Sequence, residues 1–184
     1  MPEGDTIHKL AGYLRPVLRG SGVRRRTFDR VIGPDLLARD VQMPVIVARL
    51  RALMPANGLL IDALLDQRVA CGIGNVFKSE TLFLMGRHPQ TCIEDLADAD
   101  LEAVYRCAAG LLAANTRGGP RVTRHANDEA GRLWVYGRTR RPCHRCETRI
   151  VSAHLGRGMR STFWCPRCQA PGPMTRERSV ADEK

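Results

Sequence analysis

Residues 143–168 read CHRCETRIVSAHLGRGMRSTFWCPRC, in which eighteen residues separate Cys143 and Cys146 from Cys165 and Cys168. Two Cys-x-x-Cys pairs at this separation are typical of a zinc site with four thiolate ligands. Four thiolates fill the tetrahedral shell, so we expect one structural Zn²⁺ with no open position for water. Two disulfides are the alternative. His144 could replace one sulfur, but four cysteines already suffice and we expect this histidine to be exposed.

Basic residues are concentrated around these cysteines. The chain has 29 Lys and Arg against 19 Asp and Glu, and residues 132–168 alone hold nine arginines and one acid, Glu147. Clustered guanidinium groups suit phosphate oxygens and release counterions when they bind a polyanion. A solvated charged face is the alternative, but such a face usually interleaves the two signs. The distribution therefore indicates a nucleic acid as the partner.

The composition limits the class of protein. A length of 184 residues allows one domain or two small ones, and 43% hydrophobic content is ordinary for a globular protein. No run approaches the roughly 18 apolar residues of a membrane span. Residues 1–5 lack the basic region of a secretory signal, and seven cysteines cannot all pair. We expect a cytoplasmic protein with no membrane partner.

The apolar pattern predicts a mainly α-helical chain. Its spacing of three and four residues marks several helical faces. The predicted helices cover about residues 5–18, 46–53, 60–67, 75–85 and 101–112, the last closed by the glycines and proline at 118–120. Residues 117–132 are predicted to be an extended polar loop, and the segment after residue 169 a disordered tail.

A glycine-shaped turn, Gly72-Ile73-Gly74-Asn75, precedes one of these helices. Glycine lets successive backbone N–H groups point outward, and a helix start adds partial positive charge. We predict that Asn75 caps the helix and offers its side-chain amide to the same phosphate. An ordinary tight turn between helices is the alternative.

The first residues carry a possible nucleophile. Removal of Met1 would leave the secondary amine of Pro2, and chain-terminal amines titrate near pH ~8. An unprotonated amine can attack a sugar aldehyde carbon to form a Schiff base, and Glu3 could move protons for that reaction. A flexible terminus without chemistry is the alternative.

Several motifs occur together in one order along the chain. They are MPEGDT at 1–6, LLDQ at 64–67, GIGN at 72–75, WVYGR at 134–138 and the hairpin CxxC…CPxCQ. Over residues 1–18 and 31–169 this combination resembles the bacterial formamidopyrimidine-DNA glycosylase and endonuclease VIII family, closer to endonuclease VIII. The resemblance implies a base-excision repair enzyme that flips out and removes an oxidised base. Such an enzyme then nicks the abasic strand by β,δ-elimination.

The resemblance also implies roles for individual residues. Pro2 would be the Schiff-base nucleophile on C1′ and Glu3 the proton carrier. Asn75, supported by the turn at Gly72 and Gly74, would hold a phosphate beside the flipped nucleotide, and Arg160 a neighbouring one. The expected partner is double-stranded DNA with damaged bases or abasic sites, bound by a monomer at the bacterial nucleoid.

One part of the family pattern is missing from the sequence. The β-sandwich that follows the first helix in the family needs on the order of 100 residues, but about a dozen linker residues stand there. The family's hairpin lysine has no counterpart, since the three lysines are at positions 9, 78 and 184. The damaged-base preference cannot be deduced without that segment.

The expected architecture is mainly α. It consists of a helix–two-turns–helix domain with a C-terminal zinc-ribbon β-hairpin and an isolated N-terminal helix. The predicted boundaries are 1–30 for the N-terminal peptide, helix and linker, 31–138 for the helical domain, 139–169 for the zinc hairpin and 170–184 for the tail.

Three functions compete at this point. The first is a DNA glycosylase and abasic-site lyase in a shortened form. The second is a non-catalytic, zinc-dependent DNA-binding remnant of that family. The third is an RNA-binding zinc ribbon, in which the N-terminal motif would have no purpose.

Overall fold

The computed structural model describes residues 32–117, 119–126, 128 and 130–171. The predicted first helix, Pro2 and Glu3 lie outside the described residues, as does the chain after residue 171. In chain order the elements are α1 (Met43–Leu53), α2 (Leu60–Leu65), α3 (Asn75–Leu84), a 3₁₀ turn (Ile93–Asp95), α4 (Asp98–Ala114), β1 (Val151–Leu155) and β2 (Arg160–Trp164). Within these ranges no helix has the length and apolar character needed to cross a membrane.

The described helices form one apolar core, which confirms the helical faces predicted from the spacing between residues 46 and 112. Helix α4 packs against both α1 and α3. Leu50 of α1, Leu64 of α2 and Leu112 of α4 are fully buried in this cluster. Tyr105 is also fully buried, and its hydroxyl donates to the carbonyl of Ala63 at 3.1 Å. Truncation of a leucine buried in this way typically destabilises a protein by about 2–5 kcal/mol.

Several helix ends differ from the prediction: α1 begins at Met43 rather than residue 46, α2 ends at Leu65 rather than residue 67, and α4 begins at Asp98 rather than residue 101. Gly74, not Asn75, is the N-cap of α3, because the helix already includes Asn75, whose side chain reaches across to the hairpin. Helix α4 ends at Ala114, two residues beyond the predicted helix and before the closing glycines and proline at 118–120. Asn115 is the C-cap residue, and its side-chain amide donates to the carbonyl of Val122 at 2.9 Å and accepts from the Val122 N–H at 2.8 Å.

The described part of the chain adds one two-stranded antiparallel sheet to the helices. Strands β1 and β2 pair from Val151↔Trp164 to Leu155↔Arg160, and the turn 156–159 joins them. A second, smaller apolar cluster lies beneath this hairpin, and Phe83 of α3 belongs to it. The hairpin is therefore packed directly on helix α3. A mainly helical chain with a C-terminal hairpin is confirmed.

Candidate nucleic-acid interface

The four cysteines of the two Cys-x-x-Cys pairs converge. The Sγ atoms of Cys143, Cys146, Cys165 and Cys168 all lie within 4.8 Å of one another. The Cys146 sulfur is 3.4 Å from those of Cys165 and Cys168. Tetrahedral zinc with Zn–S bonds of about 2.3 Å places its sulfurs about 3.8 Å apart, so this set fits one zinc ion. All seven cysteines, each within the described ranges, are free, so the disulfide alternative is wrong.

The surroundings of the cluster affect the four thiols differently. Burial raises the pKa of Cys165 and of Cys168 above that of an ordinary thiol. A hydrogen bond with Thr148 lowers the pKa of Cys146 to about 6. A divalent cation bound among the four sulfurs would stabilise the thiolate forms that burial disfavours.

The sequence predicted that His144 is exposed, and the structure contradicts this prediction. It is half-buried, and its ring lies edge-on to that of Trp134 with centroids 6.1 Å apart. Its buried Nε2 atom has no hydrogen-bond partner among the described residues. Burial lowers the pKa of His144, and the nearby charges of Arg138 and Arg124 lower it further. The ring fills space beside the tryptophan and is not part of the cysteine cluster.

The nine arginines of residues 132–168 serve two purposes. Arg138 is buried, and it donates to the carbonyls of Trp134 at 2.6 Å and Pro142 at 2.9 Å. Burial lowers its pKa. Arg145 lies over the ring of Phe83, 4.5 Å from the centroid. These two arginines support the fold. Arg145 is nonetheless exposed, as are the other seven: Arg132, Arg140, Arg141, Arg149, Arg157, Arg160 and Arg167.

Asn75 and Arg160, the two predicted phosphate-binding residues, lie on elements that are bonded together. The Asn75 side-chain amide donates to the backbone carbonyl of Ser161, the residue after Arg160, at 2.8 Å. Fully buried Lys78 reinforces this junction. Its ammonium group donates to Asn75 Oδ1 and Thr162 Oγ1, both at 2.7 Å, and to the Ser161 carbonyl at 3.3 Å.

Lys78 is not among the residues that the sequence predicted for the phosphate-binding site. Its position, three residues after Asn75, places both side chains on one face of α3. That spacing was a usable signal, but a lysine in a helix is ordinarily exposed. Strand β2 returns over the helix start, and its Ser161 and Thr162 accept hydrogen bonds from the buried ammonium group.

The two glycines before α3 have different roles. Gly72 has φ +116°, and a Cβ there would lie 3.1 Å from Leu112 Cδ1. Its N–H donates to Gln67 Oε1 at 3.1 Å, so Gly72 stabilises the turn through a hydrogen bond within the protein. Gln67 also donates to the carbonyl of Ile73 at 3.1 Å, which explains the glutamine of the LLDQ motif. Gly74 stands at the end of the turn as the N-cap of α3.

Glu80 attaches the WVYGR segment to α3. This buried carboxylate accepts the backbone N–H groups of Trp134 at 2.8 Å, Val135 at 2.9 Å and Tyr136 at 2.8 Å, and also the Thr123 hydroxyl. A carboxylate buried without donors would be strongly unfavourable, and here the peptide backbone supplies them. The sequence reasoning missed this anchor because its partners are more than forty residues away.

A groove of about 620 Å³ opens beside the first turn of α3. Val76 and Tyr136 contribute apolar surface, and Arg121, Arg132 and Arg141 contribute basic groups. Aromatic and aliphatic surface bordered by arginine is the combination that binds the bases and backbone of nucleic acids.

Comparison with known proteins agrees with this geometry. Residues 32–125 match the family described as formamidopyrimidine-DNA glycosylase H2TH domain. The chain is 44% identical over 179 residues to probable endonuclease 8 2 of Streptomyces coelicolor, covering 94% of this chain and 62% of that protein. It is 41% identical over 138 residues to the DNA-(apurinic or apyrimidinic site) lyase Nei2 of Mycolicibacterium smegmatis, covering 75% and 52%.

Solved structures give the same result. The MutM (Fpg) protein of Thermus thermophilus superposes with a TM-score of 0.64 at 28% identity, covering 83% of this chain and 59% of that one. The chain spans between half and two thirds of the length of these relatives. The match to the Streptomyces protein covers 94% of this chain, so it extends beyond the residues that the structure describes.

Proposed function

The chain belongs to the formamidopyrimidine-DNA glycosylase and endonuclease VIII family, and from this premise we propose that it binds damaged duplex DNA in base-excision repair. The observation that carries the proposal is the junction of α3 and β2, in which Asn75 is bonded to the residue that follows Arg160. Two groups suited to phosphate thereby lie on elements that are hydrogen-bonded to each other, which supports the proposal. The family match also favours DNA over RNA.

In this proposal neighbouring phosphates are held by Asn75 and Arg160. The N-terminus of α3 adds partial positive charge at Asn75; Gly72 shapes the turn before it, and Gly74 as N-cap lets the backbone approach the strand. Exposed Arg160 forms a charge-assisted hydrogen bond with the adjoining phosphate. Counterion release makes binding weaken steeply as salt is added.

The proposed reaction is removal of an oxidised base followed by cleavage of the abasic strand. Pro2 attacks C1′ through its amine and forms a Schiff base, and Glu3 carries the protons for the β,δ-elimination. Support comes from the MPEGDT match at residues 1–6 and from relatives named as an endonuclease and as an abasic-site lyase.

The zinc proposal assigns the four thiolates of Cys143, Cys146, Cys165 and Cys168 to one ion. When bound, zinc supplies a structural crosslink between the two ends of the hairpin and no reactive position. These residues hold β2, and therefore Arg160, in place against α3.

DNA binding without strand cleavage is the second candidate. The groups assigned to phosphate contact all lie in the described helices and hairpin, whereas both proposed reactive groups lie outside the described residues. A borohydride experiment with an abasic-site duplex separates the two functions. The enzyme function predicts a covalent adduct that is strongly reduced in Pro2→Gly while duplex binding persists. Duplex binding with no adduct would leave the second candidate.

A further inference from the structure

Met159 is an exposed apolar side chain at the tip of the zinc hairpin. It ends the four-residue turn 156–159 that joins β1 to β2. Its side chain is 64% exposed, compared with 48% for Val45, the next most exposed large apolar residue in the described ranges. Burial in the hydrophobic core therefore does not explain a methionine at this position.

The backbone does not favour methionine either. Met159 has φ +44°, in the left-handed region where glycine is the unstrained choice. The other two non-glycine residues with positive φ in the described ranges, Arg140 and Glu147, are polar. An apolar side chain held at the surface in a disfavoured conformation indicates a contact made outside the chain.

The turn that carries Met159 is fixed in position. The N–H of Arg157 donates to Asp62 of α2 at 2.8 Å, and a Cβ at Gly156 would collide with the same carboxylate. The N–H of Met159 closes the turn by donating to the Gly156 carbonyl at 3.1 Å. The methionine therefore projects from a rigid base that is bonded to the helical domain.

The neighbours of Met159 are cationic. Exposed Arg157 and Arg160 flank it in sequence, and the Arg160 side chain lies across Gly158, within 3.6 Å of where a Cβ would stand. Ser161 then bonds to Asn75. A protein partner would be recognised by a broader apolar patch. A single flexible apolar side chain between cations is instead the arrangement that inserts between base steps while the cations bind phosphates.

We propose that Met159 acts as a wedge on duplex DNA. Its side chain enters a groove of the duplex and inserts against the base stack, beside the phosphate held by Arg160. This inference rests on the proposed DNA-binding function. It assigns the hairpin tip a role in detecting weakened stacking, because insertion is easiest where a base is damaged or absent.

The test uses the full chain and a duplex that carries 2-aminopurine beside a tetrahydrofuran abasic analogue. Met159→Gly removes the side chain at a backbone angle that glycine prefers, so zinc content and thermal stability should be retained. Wild type and Met159→Leu should raise the 2-aminopurine fluorescence on binding. Met159→Gly should lose most of that rise and bind about tenfold more weakly. Its slope of log Kd against log salt should be unchanged, because no phosphate contact is lost.

Two results separate failure of the wedge from failure of the proposed function. If Met159→Gly binds and fluoresces like wild type while Arg160→Ala binds more weakly, the wedge is overturned and DNA binding stands. The exposed Met159 side chain would then be assigned to a contact with a protein partner. If wild type itself binds the duplex without salt dependence and Arg160→Ala changes nothing, the proposed function fails and the wedge fails with it.

Discussion

The side-chain amide of Asn75 donates a 2.8 Å hydrogen bond to the backbone carbonyl of Ser161, 86 residues later in the chain. This bond joins the first residue of α3 to the second residue of β2. The helix start and the hairpin therefore cannot shift independently. Under the proposed function, phosphates bound at Asn75 and at Arg160 would therefore be held at one separation.

Lys78 should be essential to that junction. In Lys78→Met the ammonium group is lost, and the oxygens of Asn75 and Thr162 lose a donor while they remain in place. We expect the free energy of unfolding to fall by about 2–4 kcal/mol, measured by urea denaturation. Arg106→Met, at an exposed arginine that pairs with Glu102, is the matched control and should change it by less than about 0.5 kcal/mol. Equal stability of the Lys78 variant and wild type would contradict the assignment.

Glu80→Gln should release the WVYGR segment from α3. One side-chain oxygen becomes an NH₂ group that faces the backbone N–H donors of residues 134–136, so at least one bond is replaced by a donor–donor clash. The expected loss is about 2–3 kcal/mol of unfolding free energy. Glu102→Gln, on the surface of α4, should be nearly neutral. A neutral Glu80→Gln would show that the carboxylate does not hold the segment.

Zinc removal should abolish duplex binding. We expect one zinc per chain by elemental analysis, with chelation lowering both thermal stability and DNA affinity, because the crosslink that positions β2 is lost. Cys146→Ser should lower the zinc content, whereas Cys107→Ser, on α4 and outside the cluster, should retain it. A zinc-free chain that keeps its affinity would rule out the structural role.

His88 should make stability depend on pH. Burial lowers the pKa of His88 in the folded chain, and its Nδ1 accepts the N–H of Gln90 at 3.2 Å. As pH falls below about 6.5, the unfolded chain takes up a proton that the folded chain resists, so stability decreases. His88→Gln should flatten the dependence of the melting temperature on pH between about 7.5 and 5. An unchanged slope would assign the effect to other groups.

The sequence predicted the helices and the metal cluster because those features depend on local spacing. Apolar periodicity marked the face of α1 that contains Ile46 and Leu50, and the two Cys-x-x-Cys pairs marked the four sulfurs. The partners of Glu80 and Lys78 were not predictable, since each is bonded to residues 43 to 84 positions away. The arginine count likewise could not show that Arg138 is buried.

The predicted role of Asn75 shows the same limit. A helix start after glycine favours a capping asparagine, and the sequence contains no sign that β2 returns over this point. The capping prediction was wrong because Asn75 is already the first helical residue, and its side-chain oxygen, the atom that a cap would use, accepts from the Lys78 ammonium while its amide donates to the Ser161 carbonyl. The predicted domain boundaries at residues 30, 138 and 169 remain a prediction.

The claim that α3 and the zinc hairpin bind DNA as one unit is tested most directly by a double-mutant cycle. Asn75→Ala, Arg160→Ala and the double variant are titrated against one abasic-analogue duplex, with zinc content as the folding control. We expect each single change to weaken binding about tenfold, with a coupling energy above about 0.5 kcal/mol between them. Strictly additive losses, or full affinity in either single variant, would contradict the claim.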